Sequence, residues 1–379
     1  MRPYDLPDHV FIAQYADLQK LAETLSRQPI VAVDTEANSL FAYRERVCLI
    51  QFSIPGTDYL VDPLALDDLS PLAPLFENPD IEKIFHAAEY DLIVMRHDFG
   101  FSFANLFDTM VAARILGLPA VGLGSLLKSQ FGVNPNKKYQ RSNWGQRPLP
   151  ADMLAYAQLD THYLIPLRNH LKSELKAAGR WLLASEDFRR ACHVNSPHHR
   201  KTPSEQCWRI NGIHDLEHKQ VAVLHELCRF RDQKARSLDR PLFKVVGDKS
   251  LFNIAASCPR TLRDLERVPG ISQRQVRWIG KGLLSSIQRG LRTKPPSQPR
   301  KPRPSDSYLT RVDRLRYWRK TTARDLGVES DVILPKNVLY ALAEQNPSTR
   351  EELAAVMQTI PWRLETFGNE IYKLLAALN

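Results

Sequence analysis

The sequence predicts an α/β domain followed by two small all-helical domains, and three observations carry that expectation. The chain has 379 residues, 43% of them hydrophobic and 25% charged, ordinary globular proportions that leave room for more than one core. Its first half alternates short β-branched runs with helical segments, the pattern of a sheet with helices packed on it. Its second half contains a gapless internal repeat at an offset of 88 residues. The expected domain limits are 1–192, 212–292 and 308–379.

Taken in order, Ile30 to Asp34 (IVAVD) reads as a short buried strand. Val47 to Ser53 and Asp58 to Val61 are further strands separated by Pro55-Gly56. Ile84-Phe85-His86 is another short strand, followed by a helix through Met95, and Phe107 to Leu116 reads as a helix of period 3.6. Residues 119–150 carry loop signals at Pro135, Asn136, Gly145, Pro148 and Pro150, after which one helix is expected from Ala151 to Ala177.

The repeat pairs Phe230-Arg231 with Trp318-Arg319, Arg236 with Arg324, Leu251 with Leu339 and Ile254-Ala255 with Leu342-Ala343. It continues through Pro259 and Pro347, Thr261 and Thr349, Leu265 and Leu353, Val268 and Val356, Gly280 and Gly368. The matched apolar positions recur at helical spacing, so each copy should be a helical module with its own core. Gln288 to Ser307, with five prolines, six Lys/Arg and one acid, reads as a stiff basic tether between them.

Charge is divided as unevenly as secondary structure. The net charge is +10, yet residues 1–185 hold 17 Lys/Arg against 21 Asp/Glu and residues 186–379 hold 35 against 21. A polyanionic partner should therefore be gripped by the second half. No apolar run approaches the roughly 18 residues that would span a bilayer, and the N-terminus lacks a signal pattern, so a cytoplasmic protein with no membrane partner is expected. The five cysteines never form C-x-x-C, which speaks for reduced thiols over a disulfide framework or a zinc ribbon.

Five residues are candidates for chemistry, and the four acids among them have plainer alternatives: a solvent-facing strand-end pair for Asp34 and Glu36, a helix N-terminal charge for Asp91, and a surface acid paired with a nearby Arg or Lys for Asp160. Asp34 and Glu36 stand two apart on a strand and so share a face; His86-Ala-Ala-Glu-Tyr-Asp91 places an acid at a helix start; Tyr156 and Asp160 lie one turn apart on a helix. Two anions held close usually need a cation. Lys138, Arg141, Trp144 and Arg147 precede the Tyr156 helix and offer contacts to a nucleic-acid backbone, or packing in the case of Trp144. In the first repeat copy Arg231, Lys234 and Arg236 belong to a dense basic set that suits RNA or a solvated helix face.

In this order, Asp34-Thr-Glu36, His86 to Asp91 and Tyr156 to Asp160 resemble the three exonuclease motifs of the DEDD superfamily in its tyrosine branch. Lys138-Tyr-Gln-Arg-Ser-Asn-Trp144-Gly-Gln-Arg147-Pro-Leu149 is similar to the ribonuclease D family, and the two repeat copies resemble HRDC modules. The resemblance implies a ribonuclease H-like mixed sheet flanked by helices, followed by two HRDC-like domains in what would be a monomer. It implies that Asp34, Glu36, Asp91 and Asp160 bind two divalent metals, Mg²⁺ or Mn²⁺, with Tyr156 as the catalytic tyrosine. The implied activity is 3′-to-5′ trimming of tRNA precursors and other structured RNAs, releasing nucleoside 5′-monophosphates. A DNA exonuclease of the same superfamily and a non-catalytic RNA-binding adaptor are the alternatives.

Overall fold

The computed structural model describes residues 6–193, 202–297 and 303–377, which fall into two compact units. One holds residues 6–37, 47–193 and 303–377, the other 38–46 and 202–297.

The first unit begins with β1 (Val10–Ile12), α1 (Tyr15–Ser26), β2 (Ile30–Ala37), β3 (Val47–Ile54), β4 (Thr57–Val61), α2 (Ala73–Glu77), β5 (Glu82–Phe85) and α3 (Glu89–Phe99). It continues with β6 (Leu106–Asp108), α4 (Thr109–Leu116), α5 (Leu123–Phe131), α6 (Ala151–His162), α7 (Leu164–Ala177) and α8 (Trp181–Ala191). The strands form one mixed sheet in the order β1-β4-β3-β2-β5-β6. β3 runs antiparallel to both neighbours, whereas β2 pairs parallel with β5. The two-residue period of β2 sorts its side chains between faces. Val31 and Val33 join Leu18, Leu21 and Leu25 of α1 in one core, while Ala32 joins Ala112, Leu167 and Leu171 of α4 and α7 in another.

Three sequence expectations are corrected. Phe107 to Leu116 is a strand end followed by a helix, because Asp108 leaves the strand and accepts hydrogen bonds from Met110 N and Val111 N as the N-cap of α4. The loop signals of 119–150 conceal α5, whose Leu126 and Leu127 are buried. The helix expected over Ala151 to Ala177 is two helices, since Pro166 has no N–H to give the carbonyl of His162. β1, α1 and α8 escaped the sequence reading.

The helical copies obey the repeat closely. The first has α9 (Pro203–Cys207) leading into α10 (His218–Ser237), α11 (Leu242–Val245), α12 (Asp248–Ser257), α13 (Leu262–Glu266) and α14 (Gln273–Arg292). The second has α15 (Asp306–Leu326), α16 (Ser330–Ile333), α17 (Lys336–Gln345), α18 (Arg350–Val356) and α19 (Pro361–Ala376). All five helix starts from α10 onward recur 88 residues later. Thr261 and Thr349 close capping boxes with Asp264 and Glu352, and Cys258 and Asn346 end α12 and α17 at φ 44°. α14 extends to Arg292, so the Pro-rich tether is shorter than the sequence suggested, and its residues 298–302 lie outside the described residues. In the first copy α10 and α14 approach closely at Gly290, where an added Cβ would stand 2.4 Å from Val223 Cα.

The second copy is not a tethered appendage. It packs on the α/β part of its own unit through a buried ion pair: Arg363, fully buried, donates to Glu186 in α8 and to Asp187 Oδ2 at 2.8 Å. Trp362 N donates to Glu186 Oε2 at 2.6 Å, and Arg363 also reaches the Val332 carbonyl at 2.7 Å. Arg114 of α4 bridges Glu329 and Asp331 at the rim. Truncating one partner of a buried pair strands the other charge, at a cost of about 3–5 kcal/mol. Arg363→Met should therefore lower unfolding free energy by about that much in urea titrations, and adding Glu186→Leu should recover most of it. A loss no larger than that of Lys20→Met, whose side chain is 77% exposed beside Asp17, would contradict this role.

Candidate active site

The five chemical residues converge where β2 meets α6 and α3. Asp34 and Glu36 project from the same face of β2, and α6 packs across β2, β3 and β4. Tyr156 and Asp160 lie one turn apart on α6 and face the strand pair. One carboxylate oxygen from each of Asp34, Glu36 and Asp160 falls in a group whose members all lie within 4.8 Å of one another. Asp91 enters from the first turn of α3, buried, and the Thr35 hydroxyl donates a short hydrogen bond to it. The Tyr156 hydroxyl donates to Asp160.

Two buried carboxylates outside this cluster set its geometry, and the sequence reading missed both. Asp108 accepts from Ala87 N at 3.0 Å and Ala88 N at 2.8 Å as well as from its own helix. It thereby fixes the corner, with Ala87 at φ 62°, from which α3 and Asp91 start; an alanine tolerates that region poorly. An Asp that closes a short apolar run and opens a helix was the available signal. Asp58 on β4 accepts from Ser53 Oγ at 2.6 Å, Gln158 Nε2 at 2.7 Å and His162 Nδ1 at 2.8 Å. Burial opposes its charge, but bonds from His162, Ser53 and Gln158 hold its carboxyl below the usual range. They tie α6 to the sheet two residues either side of Asp160. Gln51, cross-strand from Asp34, is fully buried with neither amide atom hydrogen-bonded.

Burial and mutual repulsion push the cluster toward its protonated form. Burial, then Asp91, Asp160 and Glu36, raise the Asp34 carboxyl well above its ordinary range. Burial, then Asp160 and Asp91, do the same to Glu36. Asp91 and Asp160 are each pushed up to about 7, chiefly by burial. Burial and the three nearby acids raise Tyr156 above its free value, so it stays a phenol at neutral pH. Oxygen-only donors, half-buried and mutually repelling, fit a hard divalent cation.

The basic candidates divide. Lys138 and Arg141 are exposed on a 3₁₀ turn, Lys137–Arg141, and Lys234 and Arg236 are half-buried and exposed respectively on α10. Trp144 is 1% exposed and packs 6.2 Å from the Tyr156 ring, which is the packing alternative of its two readings, and its contact with RNA is withdrawn. Arg147 is corrected likewise: it pairs with Asp62 at 2.6 Å and donates to the Cys48 and Trp144 carbonyls, clamping the loop. Arg231 is also structural, 3% exposed and bonded to Asp248 and the Val246 carbonyl. Its repeat partner Arg319 bonds the equivalent Leu334 carbonyl.

Comparison with known proteins agrees with this geometry. A 3′-5′ exonuclease family matches residues 9–176, and the HRDC domain matches 220–287 and 309–375. Ribonuclease D of Nitrobacter hamburgensis is 30% identical, over 94% of this chain and 92% of that protein. Ribonuclease D of Pseudomonas paraeruginosa is 30% identical over 97% and 98%. The crystal structure of Escherichia coli RNase D, described as an exoribonuclease involved in structured RNA processing, superposes with a TM-score of 0.70 at 26% identity, covering 97% of this chain and 99% of that one.

A carboxylate cluster between the central strand of this mixed sheet and the helix across it, inside a matched 3′-5′ exonuclease domain, defines a metal-dependent 3′-to-5′ exonuclease. The two helical modules and near full-length similarity narrow the class. The chain belongs to the ribonuclease D family and is a 3′-to-5′ exoribonuclease.

Raised carboxyl pKa values make the metal-free site pH-sensitive. Asp91 and Asp160 hold protons in the folded protein up to about 7, whereas unfolded Asp titrates near 4. Their contribution to stability is full below about pH 4 and is lost as pH rises through about 7. Thermal melts should therefore show a larger stabilisation by Mg²⁺ at pH 8 than at pH 5. Equal shifts at both pH values would refute the assignment.

Proposed function

We propose that Asp34, Glu36, Asp91 and Asp160 hold two divalent ions, Mg²⁺ or Mn²⁺, and that the protein trims 3′ ends of tRNA precursors and other structured RNAs, releasing nucleoside 5′-monophosphates. The observation that supports this reading best is the convergence of three carboxylate oxygens within 4.8 Å beside a phenol that stays protonated. When bound, the ions would activate a water and neutralise charge on the scissile phosphate.

The chain's own residues do the rest. Asp34 shares an oxygen cluster with Glu36 and Asp160 and is raised by all three other acids, Asp91 included, which suits it to serve both ions. Thr35 orients Asp91 through its hydroxyl. Tyr156 keeps its proton and hydrogen-bonds Asp160, which suits it to orient the attacking water and not to act as base. Lys138 and Arg141, exposed on the turn before α6, are the remaining candidates in the first unit for holding the RNA backbone. The protein would act as a cytoplasmic monomer with its three domains near 1–192, 212–292 and 308–379.

A 5′-labelled tRNA precursor with a 3′ extension tests this. Stepwise shortening is expected with wild type plus Mg²⁺ and none with Asp34→Ala. Tyr156→Phe should lose about 100-fold or more in turnover while calorimetric Mg²⁺ binding persists. Internal cuts, or faster degradation of a matched DNA strand, would overturn the substrate assignment.

A further inference from the structure

We propose that one face of α14 in the first helical module, centred on Trp278, is a stacking platform for an unpaired stretch of the RNA substrate. The proposal rests on the exoribonuclease reading and adds to it a particular surface.

Trp278 is 41% exposed, while the protein's other five tryptophans are buried or half-buried. Arg274, Trp278 and Lys281 follow at helical spacing on α14, Arg277 stands beside them, and all four are exposed. From the neighbouring helix α10, Lys234 places its ammonium 5.7 Å from the Trp278 ring centroid. α14 carries Arg274, Arg277, Lys281, Arg289 and Arg292 and no Asp or Glu. Arg289 is answered by Glu226 at 3.2 Å. Arg274, Arg277, Lys281 and Lys234 form no ion pair among the described residues. An ordinary surface helix interleaves charges of both signs. An aromatic face ringed by unanswered cations matches a polyanion with exposed bases, in which every base has a π-face and each linkage a phosphate.

The second module supplies an internal control. The positions equivalent to Lys234, Arg274, Arg277, Trp278 and Lys281 are Thr322, Trp362, Glu365, Thr366 and Asn369. That copy keeps the same helices but has none of the platform, and its α19 packs against α8 through Arg363. The cations of α14 are therefore not a requirement of the helical scaffold.

The test measures binding of a 5′-labelled single-stranded RNA to the full chain without metal, across a salt series. Trp278→Ala should weaken binding at least fivefold with an unchanged salt slope, and Trp278→Phe should retain most of the affinity. Arg277→Gln with Lys281→Gln should reduce the slope by about 1.4. Hydrolysis of a dinucleotide should be unaffected by all of these substitutions. Unchanged affinity in Trp278→Ala, or an equal loss on a blunt RNA duplex with no unpaired base, would overturn the platform. Because wild type is assayed for Mg²⁺-dependent shortening of the same strand, failure of the enzymatic reading registers separately from failure of this surface.

Discussion

The site of the first unit is built against the repulsion of four carboxylates, two from β2, one from α3 and one from α6. Asp34, Glu36, Asp91 and Asp160 are raised by burial before any neighbour is counted, and Asp34 is raised further by each of the other three. Left to itself such a cluster opens or protonates. It is held because its members come from three different elements, each pinned elsewhere. Asp34 and Glu36 belong to β2, hydrogen-bonded on both sides by β3 and β5. Asp91 is placed by the Asp108 carboxylate at the start of α3, and Asp160 by the bonds that Asp58 accepts from Gln158 and His162. The supporting carboxylates are buried too, but they accept N–H and O–H donors instead of facing one another, which is why Asp58 stays below the usual range while Asp160 rises to about 7.

That contrast explains what was legible in the sequence. The cluster residues announce themselves by type and spacing, since two carboxylates sharing a strand face, or a tyrosine and an acid one helical turn apart, are visible without coordinates. The core strands were legible for the same reason, as β-branched runs. Asp108 and Asp58 were not, because their importance lies in bonds to Ala87, Ala88, Gln158 and His162, residues 20 to 104 positions away. Segment boundaries failed where one residue decides between two regular structures: Asp108 ends β6 and caps α4, and Pro166 divides α6 from α7. α5 was hidden because its two buried leucines are adjacent and make too short a period to read.

Counting basic residues misled in a similar way. Arg147 and Arg231 look like phosphate ligands in a list of cations, yet each is consumed by carbonyls and a carboxylate that hold backbone turns together. Arg is well suited to such clamps because its planar fork serves several acceptors at once. The repeat exposes this role, as Arg231 and Arg319 bind equivalent carbonyls in the two copies. A cation kept at the same place in both copies for the sake of the same backbone bond belongs to the scaffold.

The reverse argument identifies what each copy adds to the scaffold. Where one position differs between copies that share the helix starts from α10 onward, the difference shows what each copy adds to the common scaffold. At 275 the first copy has Gln, which bonds the Val245 carbonyl of its own module; at 363 the second has Arg, buried against Glu186 of the α/β part. At 243 the first has a Phe 55% exposed, whereas at 331 the second has an Asp paired with Arg114. At both positions the second module carries a docking contact where the first has an internal bond or an exposed ring, and α19 is charge-balanced while α14 keeps five cations. The excess positive charge of the second half is thus not shared by two equivalent modules: one copy has become part of the body that carries the carboxylates, and the other retains the unbalanced charge suited to RNA.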